Sequence, residues 1–493
     1  MIAPLSRSKP GRRALGATAI AIAISAARWR RKRDRRVASA LTRTRRSSRN
    51  LATASLAARV GADSALTRAR TVFASAERTV ELRDELQLRT AAQVTETLGE
   101  MKGALMKLGQ MLSFIDEGLP EPVRLALTSL QASAPPMSAE LAAQVVEAEL
   151  GRPPDQLFDR WDEQPLAAAS IGQVHRAVTK DGHAVAVKVQ YPGVADAIRA
   201  DLANAGVVFG SLALAYPSFD PGPVIAELRT RVSEELDYRR EATNQALFAN
   251  FYAGHPFITV PRVHTALSTS RVLVTDLAAG STFAQLETWD QHERDLAGEA
   301  LYRFVFRSLY RLQAFNGDPH PGNYLFHGDG KVTFVDFGLV RTFDDTELGR
   351  FRAMITAMVV DRDPEAFRRA VIDAGLLAPD APLDTDEVTE YFRQFYKLVE
   401  HPGPVTAGPE YSSATVRQTF NRDSPVTRYT TVPPSFVLIQ RINLGLFALL
   451  GRLRTTLDYR RVTEEIWPWV NGPPTTALGE AEARWIAQLP TRR

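Results

Sequence analysis

Two short acidic motifs lie close together in the second half of this 493-residue chain. The segment FNGDPHPGNYLF, Phe315–Phe326, places Asp318 and Asn323 in the spacing Asp-x-x-x-x-Asn, and Asp336 then opens the tripeptide Asp-Phe-Gly. The residues between the motifs, YLF, HGDGK and VTF, predict a tight β-hairpin, which returns a chain to the edge from which it started. We therefore expect Asp318, Asn323 and Asp336 to lie within reach of one another.

A lysine on a predicted strand adds a cation to this set. In HAVAVKVQ the alternation of side chains puts Lys188 on the face opposite Val187. A lysine in a cleft needs an acid to hold it, and the long helix predicted over residues 221–252 offers four carboxylates: Glu234, Glu235, Asp237 and Glu241. Asp237 and Glu241 are four residues apart and share a helix face. We expect one of the four to pair with Lys188.

These residue types suit phosphoryl transfer. That reaction needs a carboxylate near the acceptor oxygen and oxygen ligands that hold magnesium against nucleotide phosphates. Each motif alone is common, but the order of strand lysine, helical acid, Asp-x-x-x-x-Asn, hairpin and Asp-Phe-Gly matches the protein-kinase signature set. We predict an α+β, protein-kinase-like fold with a small β-rich N-lobe and a helical C-lobe, preceded by a helical extension.

Two parts of a conventional protein kinase are missing. The segment AAASIGQ, Ala167–Gln173, stands where a glycine-rich loop is expected, and it predicts a loop of small residues with a less free backbone. There is no Ala-Pro-Glu motif, and only a short segment separates Asp336 from the helical pattern that starts at Asp344. A long platform for a peptide substrate is therefore not expected.

Five motifs resemble those of the UbiB family of atypical kinases, the AarF-domain proteins. They are KLGQ at Lys107–Gln110, the following LQASAPP, the alanine-rich PLAAASIGQVHRA, ELD at Glu235–Asp237, and NGDPHPGN around Asp318. The resemblance runs from about Leu98 to Arg341. It departs from the family at Asn316-Gly317, where a small apolar or His-Ala pair is expected.

The resemblance implies a role for each matching residue. Lys188 would pair with Glu241, Asp318 would be the catalytic-loop acid, and Asn323 with Asp336 would bind Mg²⁺. ATP would bind at Lys188 and at the alanine-rich segment, whose residues are Ala167, Ala168, Ala169 and Ser170.

The resemblance also implies a regulatory contact in the extension. Lys107 and Gln110 would reach into the cleft and meet Glu235 and Asp237, taking the space of a protein substrate. The family is associated with isoprenoid-quinone biosynthesis, membrane surfaces and ATPase activity, so a lipid or quinone precursor is the implied acceptor.

The remaining pattern divides the chain into four predicted parts. These are a basic arm at 1–50, a helical extension at 51–160, the N-lobe at 161–280 and the C-lobe at 281–493. IGQVHRAV and HAVAVKVQ predict a hairpin, and ITVPRVHTALSTSRVLVTDL predicts a further pair of strands. FVLIQRINLGLFALL, Phe436–Leu450, contains Arg441 and Asn443 and predicts a buried helix more than a membrane span.

Charge is distributed unevenly along the chain. Residues 1–50 hold 15 of the 60 basic residues and one of the 56 acidic residues, so the remainder carries a net charge of −10. The apolar segment Ala14–Ala27 would be about 21 Å long as a helix, too short for a hydrocarbon core of roughly 30 Å. An interfacial anchor on anionic lipid, a signal or transit segment and a disordered tail all stay open. Nucleic-acid binding is not expected, since Trp29 is the only aromatic residue of the arm.

The absence of cysteine excludes disulfides, thiolate metal sites and a cysteine nucleophile. We expect a cytoplasmic protein attached to a membrane surface, or a mitochondrial one if the arm is a transit segment. A homodimer is left open. Three functions follow as alternatives: a magnesium-dependent ATPase or small-molecule kinase, a nucleotide-binding scaffold without turnover, and a protein kinase. His320 and His175 are expected to fix local structure.

Overall fold

The computed structural model describes residues 137–169, 171–196, 199, 222, 236–419 and 424–489, and also residues 59, 62–67, 70–71, 78–79, 82 and 86. The chain divides into two units, Met1–Ala132 with Gly193–Leu228, and Ser133–Pro192 with Arg229–Arg493. The described positions of the first unit are almost all helical. The second unit holds the sheets and the acidic motifs. The division into four predicted parts stays a prediction.

The second unit has a β-rich part followed by a mainly helical part, as expected for the α+β kinase-like fold. Its strands are β1 Phe158–Ala169, β2 Gly172–Thr179, β3 Ala184–Gln190, β4 Ile258–Thr259, β5 Val272–Asp276, β6 Ala314–Asn316, β7 Tyr324–Phe326, β8 Val332–Phe334, β9 Val340–Thr342, β10 Val405–Thr406 and β11 Thr456–Leu457. Its described α-helices are α1 Ala139–Leu150, α2 Pro154–Leu157, α3 Tyr238–Phe251, α4 Phe283–Leu286, α5 Gln291–Arg307, α6 Asp345–Ile355, α7 Pro364–Asp373, α8 Thr385–Tyr396, α9 Pro409–Thr419, α10 Pro434–Leu453, α11 Tyr459–Ile466 and α12 Ala477–Gln488.

Four antiparallel strands form the sheet of the N-lobe, in the order β1-β2-β3-β5. Helix α1 starts at the Ser138 cap and ends at Gly151, whose φ of 78° is easily adopted only by glycine. Its Val145 and Val146 pack against the fully buried Val187 of β3 and its valine neighbours. The alternation predicted for β3 is confirmed, and it leaves Lys188 on the face opposite that core.

Strand β1 was missed by the sequence patterns. Its sequence, FDRWDEQPLAAA, contains acids, a proline and alanines, which are rare in strands. It lies at the edge of the sheet, where such residues are tolerated. The loop predicted over Ala167–Gln173 is therefore wrong for Ala167–Ala169, which pair with β2.

His175 on β2 has a structural role, as expected. It is fully buried and stacks on Trp161 with ring centroids 4.6 Å apart. Its Nε2 lies 2.8 Å from the amide nitrogen of Gln173, which can only donate, so Nδ1 carries the proton and donates to the carbonyl of Asp162. Burial lowers the pKa of His175, which keeps the ring neutral.

The long helix predicted over residues 221–252 is interrupted. Leu236 lies in a turn and Asp237 is an extended N-cap whose carboxylate accepts from the backbone N–H of Arg239, so α3 begins only at Tyr238. An aspartate can satisfy the free N–H groups at a helix start, and this role outweighs the helical pattern around it. The two strands predicted within Ile258–Leu277 are present as β4 and β5, and they belong to different sheets. Strand β4 pairs in parallel with β8, while β5 joins the N-lobe sheet.

Two nested strand pairs carry the acidic motifs. The predicted hairpin is confirmed as β7 and β8, and β6 pairs with β9 outside it. Two loops thus connect the pairs, the Asp318 loop of residues 317–323 and the Asp336 loop of residues 335–339. Because each loop leaves one strand pair and enters the other, the two lie side by side.

The helices of the C-lobe share one large core with the strands β6, β7 and β8. Helix α10 includes the segment FVLIQRINLGLFALL and is buried through Ile442, Leu446 and Leu450, as predicted. Among the residues that the structure describes, no helix is long and apolar enough to cross a membrane.

A buried ionic cluster attaches helix α12 to α5. The Arg303 guanidinium is fully buried and donates to Glu299, Glu465 and Glu482 at 2.7, 2.7 and 3.1 Å. Glu482 also accepts from His255, whose Nδ1 accepts from the backbone N–H of Ile258 and so leaves the proton on Nε2.

We expect acid to weaken this cluster. Burial acts to raise the pKa of Glu482, but the hydrogen bond from His255 and the charges of Arg307 and Arg303 lower it to about 2 from 4.5. A carboxylate whose folded pKa is lowered stabilises the fold above its unfolded pKa and loses this contribution as pH falls through the window between the two values. Urea unfolding between pH 5 and pH 2 should show a falling free energy of unfolding. A Glu482→Gln variant should show a shallower fall, and equal slopes for the two proteins would contradict this assignment.

Candidate active site

Lys188 and Glu241 form the ion pair at the centre of the site. The Lys188 Nζ donates to both carboxylate oxygens of Glu241 at 2.7 and 2.9 Å. It also lies 3.6 Å from Asp336 Oδ2 and 5.1 Å from the ring centroid of Tyr238. Strand β3 supplies the lysine and the first turn of α3 supplies the glutamate. Of the two candidate acids that the structure describes, Asp237 and Glu241, it is Glu241 that meets Lys188. Glu234 and Glu235 lie outside the described residues.

The two carboxylates keep Lys188 charged. Burial alone acts to lower the pKa of this lysine, but the charges of Asp336 and Glu241 outweigh burial and hold the pKa well above its ordinary value. The side chain of Lys188 is 18% exposed and that of Asp336 is 36% exposed, so both still reach the cleft. A cation fixed in this way is placed to bind nucleotide phosphates.

Two hydrogen bonds between Asn323 and Asp318 close the Asp318 loop. The Asn323 amide Nδ2 donates to the Asp318 carbonyl at 3.0 Å and to its Oδ2 at 3.1 Å. The backbone N–H of Val335 donates to the Asn323 carbonyl at 2.9 Å, which joins the Asp318 loop to the Asp336 loop. His320 Nδ1 accepts from the backbone N–H of Gly322 at 3.0 Å. This hydrogen bond fits the expected role of His320 in fixing the loop, which stays a prediction.

The donor set fits magnesium. Mg²⁺ is usually held by one or two protein oxygens together with phosphate oxygens. Because the Asn323 nitrogen is taken by Asp318, the amide oxygen is the atom left for a metal. Asp336 adds a carboxylate whose Oδ1 accepts from the backbone N–H of Gly338 at 3.1 Å. Within the described ranges there is no cluster of three or more His, Asp or Glu residues able to hold a metal by themselves.

Strand β2 lies between the alanine-rich segment and the lysine strand β3. Ala168 pairs with Gln173 and Ala169 with Gly172, and Gly172 pairs in turn with Gln190 of β3. A Cβ at Gly172 would overlap the carbonyl oxygen of Val189, so only glycine allows β2 to approach β3 this closely next to Lys188. Ser170 lies outside the described residues.

Of the four residues in the predicted regulatory contact, the structure describes only Asp237. Asp237 is exposed and caps α3. Lys107, Gln110, Glu235 and the basic arm lie outside the described residues, so their roles stay predictions.

Asn316 is a site residue whose role the sequence patterns missed. Its Nδ2 donates to the Asp336 carbonyl at 2.9 Å, and its Oδ1 accepts from the backbone N–H of Asp318 at 3.4 Å. The neighbouring Gly317 N–H donates to the Leu339 carbonyl at 2.6 Å. A Cβ at Gly317 would lie 3.1 Å from Leu339 Cγ, which makes this position tight. The Asn-Gly pair, visible in the sequence as a departure from the family motif, is the signal that could have pointed to this role.

Gly445 on helix α10 is a second residue that sequence reasoning missed. A Cβ at this position would overlap Pro319 Cγ and lie 2.9 Å from Pro319 Cβ. Pro319 follows Asp318 directly, so the helix supports the Asp318 loop through a contact that only glycine permits. We expect Gly445→Ala to displace the loop and to lower any turnover that depends on Asp318 by roughly tenfold or more, because small misplacements at reacting groups are costly.

Gly349 provides the matched control for this substitution. It also lies in a helix, α6, and a Cβ there would meet nothing within 4 Å. Gly349→Ala should raise the free energy of unfolding by about 0.5–1 kcal/mol through helix propensity and leave turnover unchanged. Thermal melts and turnover measured on both variants test this, and an equal effect of the two substitutions would rule out the supporting contact.

Comparison with known proteins places these motifs in a family context. The model of the ABC1 atypical kinase-like domain matches residues 129–371. The atypical kinase COQ8B, mitochondrial, of Rattus norvegicus is 38% identical over 261 residues, which cover 51% of this chain and 48% of the rat protein. The atypical kinase COQ8, mitochondrial, of Saccharomyces cerevisiae is 27% identical over 384 residues, which cover 76% of each protein. The chain spans about half the length of several curated relatives that it matches.

A solved structure is similar over most of the chain. The complex of Rv3197 with erythromycin from Mycobacterium tuberculosis has a TM-score of 0.60 and 31% sequence identity, and the match covers 80% of this chain and 99% of that one. This chain has the α+β, kinase-like fold that the sequence predicts, and the solved structure shares the fold over most of this chain.

Proposed function

Because the chain belongs to the ABC1, or AarF-domain, family of atypical kinases, we propose that it binds ATP with Mg²⁺ between strand β3 and the two acidic loops. The bound nucleotide would be hydrolysed or would donate a phosphoryl group to a small or lipid-like acceptor. One observation carries the proposal: Lys188 Nζ lies 2.7 Å from Glu241 and 3.6 Å from Asp336, next to the loop that holds Asp318. A strand lysine held by a helical glutamate beside two acidic loops is the arrangement that protein kinases use for phosphoryl transfer.

Each residue of the site would have a separate role in binding the nucleotide and the metal or in the reaction. Lys188, oriented by Glu241, would bind the phosphates, and Asn323 with Asp336 would hold Mg²⁺. Bound Mg²⁺ would neutralise charge that develops on the transferred group. Asp318 would orient the attacking hydroxyl or water and accept its proton. The Asn323 amide would keep the Asp318 carboxylate in place, since it donates to Asp318 Oδ2.

The segment after Asp336 supports a small acceptor more than a peptide. Helix α6 begins at Asp345, and β9 occupies three of the residues before it. Little chain is left to form a platform for an extended peptide. A quinone precursor or another lipid is the acceptor class that the family resemblance favours, and the COQ8 relatives are named as mitochondrial.

A phosphate-release assay tests this function. We expect magnesium-dependent release of phosphate from ATP that rises when a soluble quinone-precursor mimic or anionic lipid vesicles are added. ATP binding without phosphate release under any of these conditions would instead favour the nucleotide-binding scaffold. Transfer of label to added proteins without free phosphate would favour the protein kinase.

The role of the extension and of the arm needs its own variants. Lys107→Ala should enable phosphorylation of protein if Lys107 and Gln110 occupy the space of a peptide substrate, and an unchanged product pattern would remove that role. Flotation with anionic vesicles should retain the full chain and lose a chain without residues 1–50. Equal flotation of both would refute a membrane-binding arm.

A further inference from the structure

Asp336 has an unusual backbone conformation. Its φ of 71° lies in the left-handed region, which residues other than glycine adopt rarely. Such conformations persist only where the surrounding structure holds them, and they concentrate at functional sites. The question is therefore which groups hold Asp336.

Asn316 holds one side of the Asp336 loop. Its Nδ2 donates to the Asp336 carbonyl at 2.9 Å, while its Oδ1 accepts from the Asp318 N–H at 3.4 Å. Asn316 ends β6, which is paired with β9 on the far side of the loop. The amide is thus anchored by strand pairing and reaches both acidic loops.

Asn244 holds the other side. It lies on α3, three residues after Glu241, and its Nδ2 donates to the Phe337 carbonyl at 3.0 Å. The Phe337 ring is fully buried, with its centroid 4.9 Å from that of Phe248 on the same helix. Helix α3 therefore fixes Lys188 through Glu241 and the Asp336 loop through Asn244.

The two bonds together define the direction of the Asp336 carboxylate. The carbonyls of Asp336 and Phe337 belong to consecutive peptide planes, so holding both restricts rotation about the bonds between them. The Gly338 N–H, which shares its peptide plane with the Phe337 carbonyl, then meets Asp336 Oδ1 at 3.1 Å, and Oδ2 faces Lys188 at 3.6 Å.

We propose that Asn316 and Asn244 form a two-sided clamp that positions Asp336 for the metal–nucleotide complex. This inference rests on the proposed function, since it concerns the metal ligand of the same site. Both asparagines are positioning residues, which act through Asp336. Through these two side chains, the strand pair β6–β9 and helix α3 both hold the segment Asp336–Phe337.

Mn²⁺ in place of Mg²⁺ allows the clamp to be tested by binding alone. Electron paramagnetic resonance measures the Mn²⁺ concentration that gives half-maximal binding in the presence of ATP, and calorimetry in EDTA measures ATP binding without metal. Loss of one hydrogen bond corresponds to roughly a five- to tenfold change in an equilibrium. Asn316→Leu and Asn244→Ala should each raise the Mn²⁺ requirement by about that factor. Metal-free ATP binding, which depends on Lys188, should change by less than about twofold.

Two further variants act as controls. Asn250 is exposed on the same helix as Asn244, and Asn250→Ala should leave the Mn²⁺ requirement unchanged. Asn316→His restores a ring N–H donor and should recover most of the loss seen in Asn316→Leu. If the Asn316→Leu variant does not fold, the Mn²⁺ requirement of Asn316→His still tests the role of Asn316.

The outcomes separate the clamp from the function on which it rests. If the wild-type chain binds no Mn²⁺–ATP, the proposed function fails and the clamp fails with it. If the wild type binds but the asparagine variants keep the same Mn²⁺ requirement, the clamp alone is refuted. An equal weakening of ATP binding with and without metal would also overturn it, since that pattern indicates general disruption of the cleft.

Discussion

Asp336→Asn is expected to lower magnesium-dependent ATP turnover at least about a hundredfold, because the substitution removes the charge that would hold the metal against the phosphates. Asparagine has nearly the same shape as aspartate and tolerates the left-handed backbone, for which φ is 71° here. Its amide oxygen can still accept the Gly338 N–H bond. The fold should therefore persist while turnover is lost, and steady-state phosphate release with thermal melting measures both.

Asp329→Asn is the matched control for this experiment. Asp329 lies in the β7–β8 hairpin turn, also with a positive φ, of 51°, and its side chain is 83% exposed. This variant should retain full turnover. Unchanged turnover in Asp336→Asn, or an equal loss in both variants, would contradict the assignment of Asp336 as a metal ligand.

Arg303→Met is expected to cause the largest loss of stability, about 3–5 kcal/mol in the free energy of unfolding. The guanidinium is fully buried and contacts three carboxylates, from Glu299, Glu465 and Glu482. Removal of this fully buried arginine leaves the three carboxylates in the interior without their main counter-charge. Methionine fills much of the space but supplies no donor. Urea unfolding at neutral pH measures the change.

Arg393→Met provides the comparison at the surface. Arg393 pairs with Glu390 and Glu400, but 47% of its side chain is exposed, and exposed ion pairs contribute about 0–1 kcal/mol. A small effect for this variant and a large one for Arg303→Met would confirm that burial makes the difference. Similar small effects for both would show that the carboxylates of the cluster find other partners or take up protons.

The sequence was most informative where chemistry and spacing coincide. The sequence predicts that Asp318, Asn323 and Asp336 lie close together because a hairpin separates the two motifs. It also predicts which face of the strand carries Lys188, because side chains alternate along a strand. The choice of Glu241 among four acids required the family resemblance, since helix periodicity alone left Asp237 equally placed. Asp237 instead ends up as a helix cap, which breaks the helix that the pattern suggested.

The features that were missed depend on contacts between distant segments. Strand β1 has a composition typical of a loop and is defined by its pairing with β2. Gly445 and Pro319 are 126 residues apart in the chain, and nothing local in FVLIQRINLGLFALL indicates that one glycine supports the Asp318 loop. The bond from Asn244 to the Phe337 carbonyl likewise joins a helix to a loop far along the chain. Such contacts become visible only once the elements are packed.

The central claim is that Lys188, Asp318, Asn323 and Asp336 surround a metal-bound nucleotide. Calorimetric titration of the full chain with MgATP, beside a Lys188→Ala variant, tests it most directly. We expect saturable one-to-one binding by the wild type and binding weakened at least about a hundredfold in the variant, because the fixed ammonium is lost from the phosphates. No heat of binding with the wild type, or the same affinity in both proteins, would contradict the claim.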